Sequence, residues 1–243
     1  MLKNKPKYKV VLIGSTSEIG LAIVQRLSRD YEVDLTVIGR NCPDDFIQNN
    51  SQIATQFVYS DFLSEDLMLT YKNYFDKVVA LDLVIVAIGY LPRENGEFVF
   101  SEVKNSVEIN TLIPILTMSQ FGEFLLNNDG GKMLYISSLA TVRPRSRNFT
   151  YGATKKASDY FTLGLIRKYK NSKLEVYLVR TGYVYSKMSS SFEPSMFAST
   201  PIKLAEGVVR GIQNNSKIMY YPRKLRVLSY ILLLIPQKIF DRL

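Results

Sequence analysis

Val10-Val11-Leu12-Ile13-Gly14-Ser15-Thr16-Ser17-Glu18-Ile19-Gly20-Leu21-Ala22 is the stretch from which the fold is read. Four apolar residues run straight into a glycine and three hydroxyl residues, and a helical pattern then begins around a second glycine. A glycine leaving a strand permits a tight turn, and one in the first helical turn lets the helix approach the sheet. Between them, backbone N–H groups and the hydroxyls of Ser15, Thr16 and Ser17 face a helix N-terminus, a ready anion site. Taken alone, the same residues also suit an ordinary serine-capped strand–helix turn. Two glycines six apart are a weak signal.

Outward from this stretch the chain alternates short β-branched runs with longer segments of helical spacing. The expected strands are Tyr8–Ile13, Leu35–Ile38, Ala54–Tyr59, Leu83–Ile88, Met133–Ile136, Val176–Val179 and Ile218–Tyr221. The expected helices are Ile19–Ser28, Glu65–Phe75, Val103–Asn127, Tyr151–Lys170 and Ile202–Gln213. Several strands are apolar throughout, as strands covered on both faces must be. The reading is therefore an α/β chain, with a single-domain, doubly wound (Rossmann-like) parallel sheet of about seven strands and helices on both faces. Residues 1–221 form its body, and 222–243 an apolar and basic C-terminal extension of the same domain. Ligands in such sheets bind beyond the carboxyl ends of the strands.

Composition narrows the chemistry. The 243 residues contain no histidine and one cysteine, Cys42. Ser-His-Asp hydrolysis, Cys-His proteolysis, His-ligated zinc, an internal disulfide and multi-cysteine metal clusters are thereby excluded, and no metal is expected. Acid–base work falls to carboxylates, tyrosine or lysine. The formal charge is +9; no nucleic-acid partner is expected. With no secretory signal pattern and no apolar run of about 18 residues, a cytoplasmic location is expected.

Tyr151 and Lys155 stand four apart on a helical stretch, one turn apart on one face. An ammonium so placed is expected to lower the phenol pKa from about 10 toward working pH. Ser138, just after a strand-like run, could hold a substrate carbonyl oxygen. A surface Tyr–Lys pair is the commoner origin of such spacing.

Together these marks resemble the short-chain dehydrogenase/reductase family, over essentially the whole chain. The matching features are the Gly14–Gly20 turn, Asp61 after strand three and Ala87-Ile88-Gly89 after strand four. Asn110 in the long helix, Ser138, Tyr151-x-x-x-Lys155 and Gly182 after strand six complete them. The resemblance implies a catalytic tetrad of Asn110, Ser138, Tyr151 and Lys155. Tyr151 would exchange the proton, Lys155 hold a nicotinamide ribose, Ser138 orient the carbonyl and Asn110 hold a relay water. It also implies a nicotinamide site built from Gly14, Ser15, Thr16, Ser17, Glu18, Ile19, Gly20, Arg40, Asp61, Phe62, Ala87, Gly89, Thr181, Gly182 and Val184, with Tyr151 and Lys155. Three positions depart from the family pattern. Glu18 replaces a glycine and must point away from a pyrophosphate, Ile88 replaces an alanine, and Thr181 replaces a proline.

Within the family the chain looks most like the reductases of decaprenylphosphoryl-2-keto-β-D-erythro-pentose. The resemblance rests on Gly14–Ile23, Phe149–Lys155, Leu163-Gly164-Leu165 and Ile235-Pro236-x-x-Ile239-Phe240, and Glu18 is normal in that group. It implies a lipid-linked or other keto-sugar substrate and a flavin oxidase partner. It further implies a homo-oligomer built on the long helices.

Cofactor choice is read from Gly39-Arg40. An NAD site of this type uses a carboxylate there, and a guanidinium instead suits the 2′-phosphate of NADPH, so NADH is the less favoured partner. A solvated surface arginine is the alternative. Arg143 and Arg145 are candidates to hold a substrate phosphate, or else part of a solvated loop. Tyr183–Thr200 is long and aperiodic, as a substrate lid would be. From Arg223 onward, Arg223, Lys224, Arg226, Lys238 and Arg242 face Asp241 alone, around the apolar run Tyr230–Ile235. That run is too short to span a bilayer, and Pro236 interrupts any helix. It suits a surface lying on the membrane, with the protein peripheral on its inner face, or a segment packed on the sheet or on a partner subunit.

Overall fold

The computed structural model describes residues 5–64, 66–92, 99–190 and 197–240. Seven strands form one sheet: β1 (Lys7–Ile13), β2 (Glu32–Gly39), β3 (Ala54–Tyr59), β4 (Leu83–Val86), β5 (Gly131–Ser138), β6 (Leu174–Thr181) and β7 (Ile218–Tyr221). Their order is β3-β2-β1-β4-β5-β6-β7, and every neighbouring pair is parallel. The chain therefore winds outward from β1 in one direction and from β4 in the other. The β1/β4 boundary is the switch point, where a crevice opens beyond the strand ends.

Helices cover both faces. Along one face, α1 (Glu18–Leu27) packs with α7 (Pro201–Gln213), burying Ile23, Val24, Leu27, Leu204, Val208 and Val209 against inward residues of β1, β2 and β6. On the other, α3 (Leu67–Phe75), α5 (Ile113–Asn127) and α6 (Phe149–Lys168) enclose Tyr71, Phe121, Leu125 and Met133. The apolar strands are explained by this double cover. Two short helices join the list, α2 (Asp44–Asn49) and α4 (Phe100–Val107).

The expected elements are found with small boundary shifts and one substantive correction. The long helix expected over Val103–Asn127 is not continuous. After α4 the backbone makes a π-turn at Glu108–Leu112, with the N–H of Ile113 bonded to Glu108 O, and only then continues as α5. Pro114 is the cause. A regular helix would have residue 114 donate to the carbonyl of Asn110, and proline has no N–H to give. The Ser158 hydroxyl donates to that carbonyl instead, at 2.7 Å. Of the expected helix over residues 65–75, residue 65 lies outside the described residues.

The C-terminal extension folds as a helix that the sequence reading did not assign, α8 (Lys224–Leu234), followed after Pro236 by one turn, α9 (Gln237–Phe240). Leu225 and Ser229 are its buried residues. Residues 191–196 of the expected lid and 241–243 of the tail lie outside the described residues.

Candidate active site

A cavity of about 350 Å³ opens at the carboxyl ends of the strands, between the β1–α1 turn and the start of α6. Gly14 forms its floor with φ 99°, where a Cβ would stand 2.8 Å from the Ala87 carbonyl oxygen. Only glycine fits there. Gly20 lies beneath, its place for a Cβ already filled by the Leu12 side chain, so α1 sits close on the sheet.

The hydroxyls of this turn do not behave as expected. Ser15 is buried and donates to the carbonyl of Asn41 at 2.7 Å. Ser17 caps α1 by accepting from Gly20 N–H. Both hold the turn together, although Ser17 accepts only and keeps its O–H proton toward the cavity it lines, and Thr16 alone is exposed. What the turn can offer an anion is therefore mainly the backbone N–H groups of the first turn of α1, which have no partner within the helix. Glu18 lines the cavity with its carboxylate occupied. Its carboxylate accepts the backbone N–H of Lys187 at 2.6 Å, bridging the cavity to the segment after β6.

Around the rim stand Ile19, Arg40, Asp61, Phe62, Ala87, Gly89 and Thr181. Arg40 is exposed at the end of β2, and Asp61 accepts Leu63 N–H with its carboxylate. Gly182 and Val184 do not line the cavity. The N–H of Gly182 bonds the carbonyl of Tyr221, and Val184 is buried in a bridge with Ser199. Residue choice there is set by packing, since a Cβ at 182 would meet Leu225 at 2.7 Å.

The four candidate catalytic residues come together from three elements. Ser138 ends β5 with its hydroxyl beside that of Tyr151, while Tyr151 and Lys155 line the cavity from the first turns of α6. The Lys155 ammonium donates to the carbonyls of Ile88 and Ile136, both at 3.0 Å, and to the Tyr135 hydroxyl at 3.1 Å. Asn110 sits in the π-turn, fully buried. Its amide clasps the backbone of Tyr90, accepting from Tyr90 N–H at 2.8 Å and donating to Tyr90 O at 2.7 Å. It also reaches the hydroxyls of Ser106 and Thr154. With its side chain so engaged, Asn110 holds the Ala87–Tyr90 turn against α6, and its carbonyl accepts the Ser158 hydroxyl on one of its two lone pairs.

A second correction concerns electrostatics. Tyr151 is not drawn down toward neutrality: burial pushes it up to about 12, against the opposing Ser138 hydrogen bond. Burial lowers Lys155 to about 7, which the charge of Asp159 partly opposes. Desolvation disfavours the charged form of each group, phenolate in one and ammonium in the other. In this state the tyrosine is a neutral proton donor, and the lysine exchanges its own proton near neutral pH.

Neither arginine proposed for substrate phosphate lines the cavity. The Arg143 guanidinium donates to the carbonyls of Leu232 (2.6 Å) and Ile235 (2.5 Å) and to Gln237 Oε1 (2.8 Å), and lies 4.1 Å from the centre of the Phe240 ring. It caps the exposed carbonyls at the end of α8, as a cation there should. Arg145 is exposed in the loop before α6.

Several contributors were missed. Tyr135 and Ile136 hold the lysine, and the Asp159–Arg180 pair lies behind Ser138. A signal for the pair existed: Asp159 repeats the four-residue step from Lys155, and Arg180 is a charge inside an apolar strand. The buried groups fit a dinucleotide ligand, since a glycine-floored turn, helix N–H groups, a cation at the β2 end and a lysine ringed by acceptors share one cleft.

The model of the short chain dehydrogenase family matches residues 8–196. An uncharacterised oxidoreductase of Mycobacterium tuberculosis is 27% identical over 249 residues, covering 96% of each chain. A very-long-chain 3-oxoacyl-CoA reductase of Bos taurus is 24% identical over 230 residues, 87% of this chain and 70% of that protein. Among solved structures, a Burkholderia cenocepacia short chain dehydrogenase in complex with NADP superposes with a TM-score of 0.80 at 14% identity, over 98% of this chain and 97% of its own. One from Sphingobium yanoikuyae in complex with NADPH gives 0.78 at 16%, over 95% and 97%. With the family pattern spanning six of the seven strands and the Tyr–Lys helix, the chain belongs to the short-chain dehydrogenase family of oxidoreductases.

Proposed function

We propose that this protein is an NADPH-dependent reductase that converts a lipid-borne ketone to a secondary alcohol. The observation that carries the reading is the Ser138–Tyr151 hydroxyl pair beside a buried lysine in the dinucleotide cleft. Bound NADPH supplies the hydride. The Tyr151 hydroxyl, protonated at neutral pH, gives its proton to the carbonyl oxygen, and Ser138 orients that oxygen. Lys155, when charged, would exchange one of its three internal hydrogen bonds for the ribose hydroxyls and stabilise the tyrosinate left behind. Arg40 pairs the 2′-phosphate. Thr16, Asp61 and Phe62, which line the same cleft, would border the cofactor.

The lipid character of the substrate is supported by α8. Val227, Tyr230, Ile231, Leu233 and Leu234 are all exposed, Leu234 at 82%, beside the exposed cations Arg223, Lys224, Arg226 and Lys238. No helix among the described residues is long and apolar enough to cross a membrane. An apolar face flanked by cations suits binding at an anionic bilayer surface, from which a lipid-borne ketone could reach the cleft. A keto sugar on a polyprenyl phosphate is the substrate that the sequence resemblance implies, with a flavin oxidase as its supplier. A 3-oxoacyl thioester is the second reading, favoured by the likeness to the 3-oxoacyl-CoA reductase. Exposed Val107, Leu112 and Tyr160 along α4–α6 support self-association on those helices.

The test is NADPH oxidation with lipid-linked keto sugars, 3-oxoacyl thioesters and short soluble ketones, with and without anionic vesicles. The proposal expects turnover of a lipid-borne ketone, stimulated by vesicles, and kcat/KM higher with NADPH than with NADH. Turnover confined to short soluble ketones would remove the lipid reading; preference for NADH would remove the cofactor reading.

A further inference from the structure

Asp159 is fully buried on α6, one turn beyond Lys155. Its carboxylate takes two bonds from Arg180 on β6, Nε at 2.9 Å and Nη2 at 2.6 Å. The same carboxylate accepts the Ser137 hydroxyl at 2.7 Å and the Thr141 hydroxyl at 3.4 Å. The single Thr141 proton points chiefly at the Ser138 carbonyl, 2.8 Å away, so the longer contact with Asp159 is the weak branch of one shared hydrogen bond. Arg180 continues outward to the Tyr220 hydroxyl on β7. The two hydroxyls that Asp159 grips thus flank Ser138 in sequence, and one of them fixes the Ser138 backbone.

A buried ion pair is a poor way to gain stability, because desolvating both charges costs about what their attraction returns. What such a pair does supply is direction, since a carboxylate held bidentately presents its remaining lone pairs at fixed angles. Ser138 sits where β5 ends and a short 3₁₀ turn (Leu139–Thr141) begins, with no regular ladder to hold it beyond residue 138. We infer that Asp159, locked by Arg180, is a positioning residue that sets the Ser138 hydroxyl against Tyr151 through Ser137 and Thr141. Asp159 does not itself line the cleft. The inference rests on the reductase reading only for its kinetic consequence; its geometric content is independent of the substrate.

Thr141→Val and Ser137→Ala each cut one thread without stranding a buried charge, and Asp159→Asn cuts the anchor. Crystal structures of the two single-thread variants are expected to show the Ser138 hydroxyl displaced from hydrogen-bond distance of Tyr151, in at least the Thr141→Val protein. In NADPH oxidation with a ketone that the wild type reduces, Thr141→Val should lower kcat roughly ten- to hundred-fold, with KM for NADPH unchanged. Made in a Ser138→Ala background, Thr141→Val should cost nothing further, because the group it positions is gone. Should Asp159→Asn fail to fold, the two thread variants carry the test alone. An unmoved Ser138 hydroxyl in both structures, or equal losses with and without Ser138, would overturn the inference. Full turnover in Tyr151→Phe would instead overturn the assignment of Tyr151 as proton donor, leaving the crystallographic result to judge the positioning role.

Discussion

Two regions of this molecule reverse the usual pairing of polarity with burial. Behind the cleft, Ser106, Asn110, Ser158, Asp159 and Thr162 are all wholly buried. On α8, Val227, Leu233 and Leu234 stand 60% or more exposed. The first region satisfies itself. Every one of those polar residues has a bond within the chain, so water is excluded and the groups are fixed. The second region leaves its apolar atoms in water, and only something outside the described chain can cover them. A self-satisfied polar interior holds its groups at fixed geometry, and an uncovered apolar face is what the proposed docking at a bilayer would use. The two are joined at Arg143, which lies between Ser138 and Tyr151 in sequence and holds the end of α8 by its carbonyls.

The largest expected effect breaks the comparison on the chemical side. Tyr151→Phe removes one hydroxyl and no packing, so the fold and NADPH binding should survive while ketone reduction falls by roughly 10²–10⁴-fold. Steady-state kinetics with a thermal melt of both proteins checks this. On the docking side, Leu233→Ser with Leu234→Ser removes two exposed side chains and nothing buried. Flotation with anionic vesicles should drop by about a hundred-fold or more, from burial worth about 1.5–3 kcal/mol for each leucine. Turnover of a soluble ketone should stay unchanged. Equal flotation of wild type and variant would dismiss α8 as the contact.

Smaller effects sharpen the comparison. Arg40→Ala should reduce kcat/KM for NADPH by roughly ten-fold or more and leave NADH almost untouched, since a hydrogen bond to a charged group is worth about 1.5–3 kcal/mol. The smallest concerns the buried lysine. Burial holds folded Lys155 near 7, whereas the unfolded chain keeps it protonated to about 10.5. Between those values the unfolded state binds more protons, so this residue's contribution makes the fold more stable as pH rises from 7 to about 10. Lys155→Met should melt higher than wild type at neutral pH and lose that part of the slope. Thermal melts across this range decide it, and identical slopes in the two proteins would show that the lysine is solvated rather than buried.

Much of the architecture was legible because local patterns and global cover agree. Seven apolar runs became seven strands, and the glycines at 14 and 20 mark the turn and the helix approach where they were expected. The π-turn was legible in principle from Pro114, whose missing N–H falls on the carbonyl of Asn110. The fate of Arg143 was not legible, because its partners lie 89 to 94 residues away on a helix whose apolar run reads equally as a lipid surface. Nor was the Tyr151 pKa, since spacing along a helix gives the nearness of a charge but not the depth of burial.

The sequence by itself determined the periodicities, the glycines that a turn can tolerate, the absence of histidine, and the Tyr151–Lys155 step along α6. All of these are short-range facts of backbone sterics and residue chemistry. Only the tertiary structure decided that Ser15 and Ser17 hold the turn and that Arg143 closes α8. It also decided that Asp159 and Arg180 stand behind Ser138. Those outcomes depend on which distant donors and acceptors are brought within about 3 Å once water is excluded, and that is set by how the layers pack.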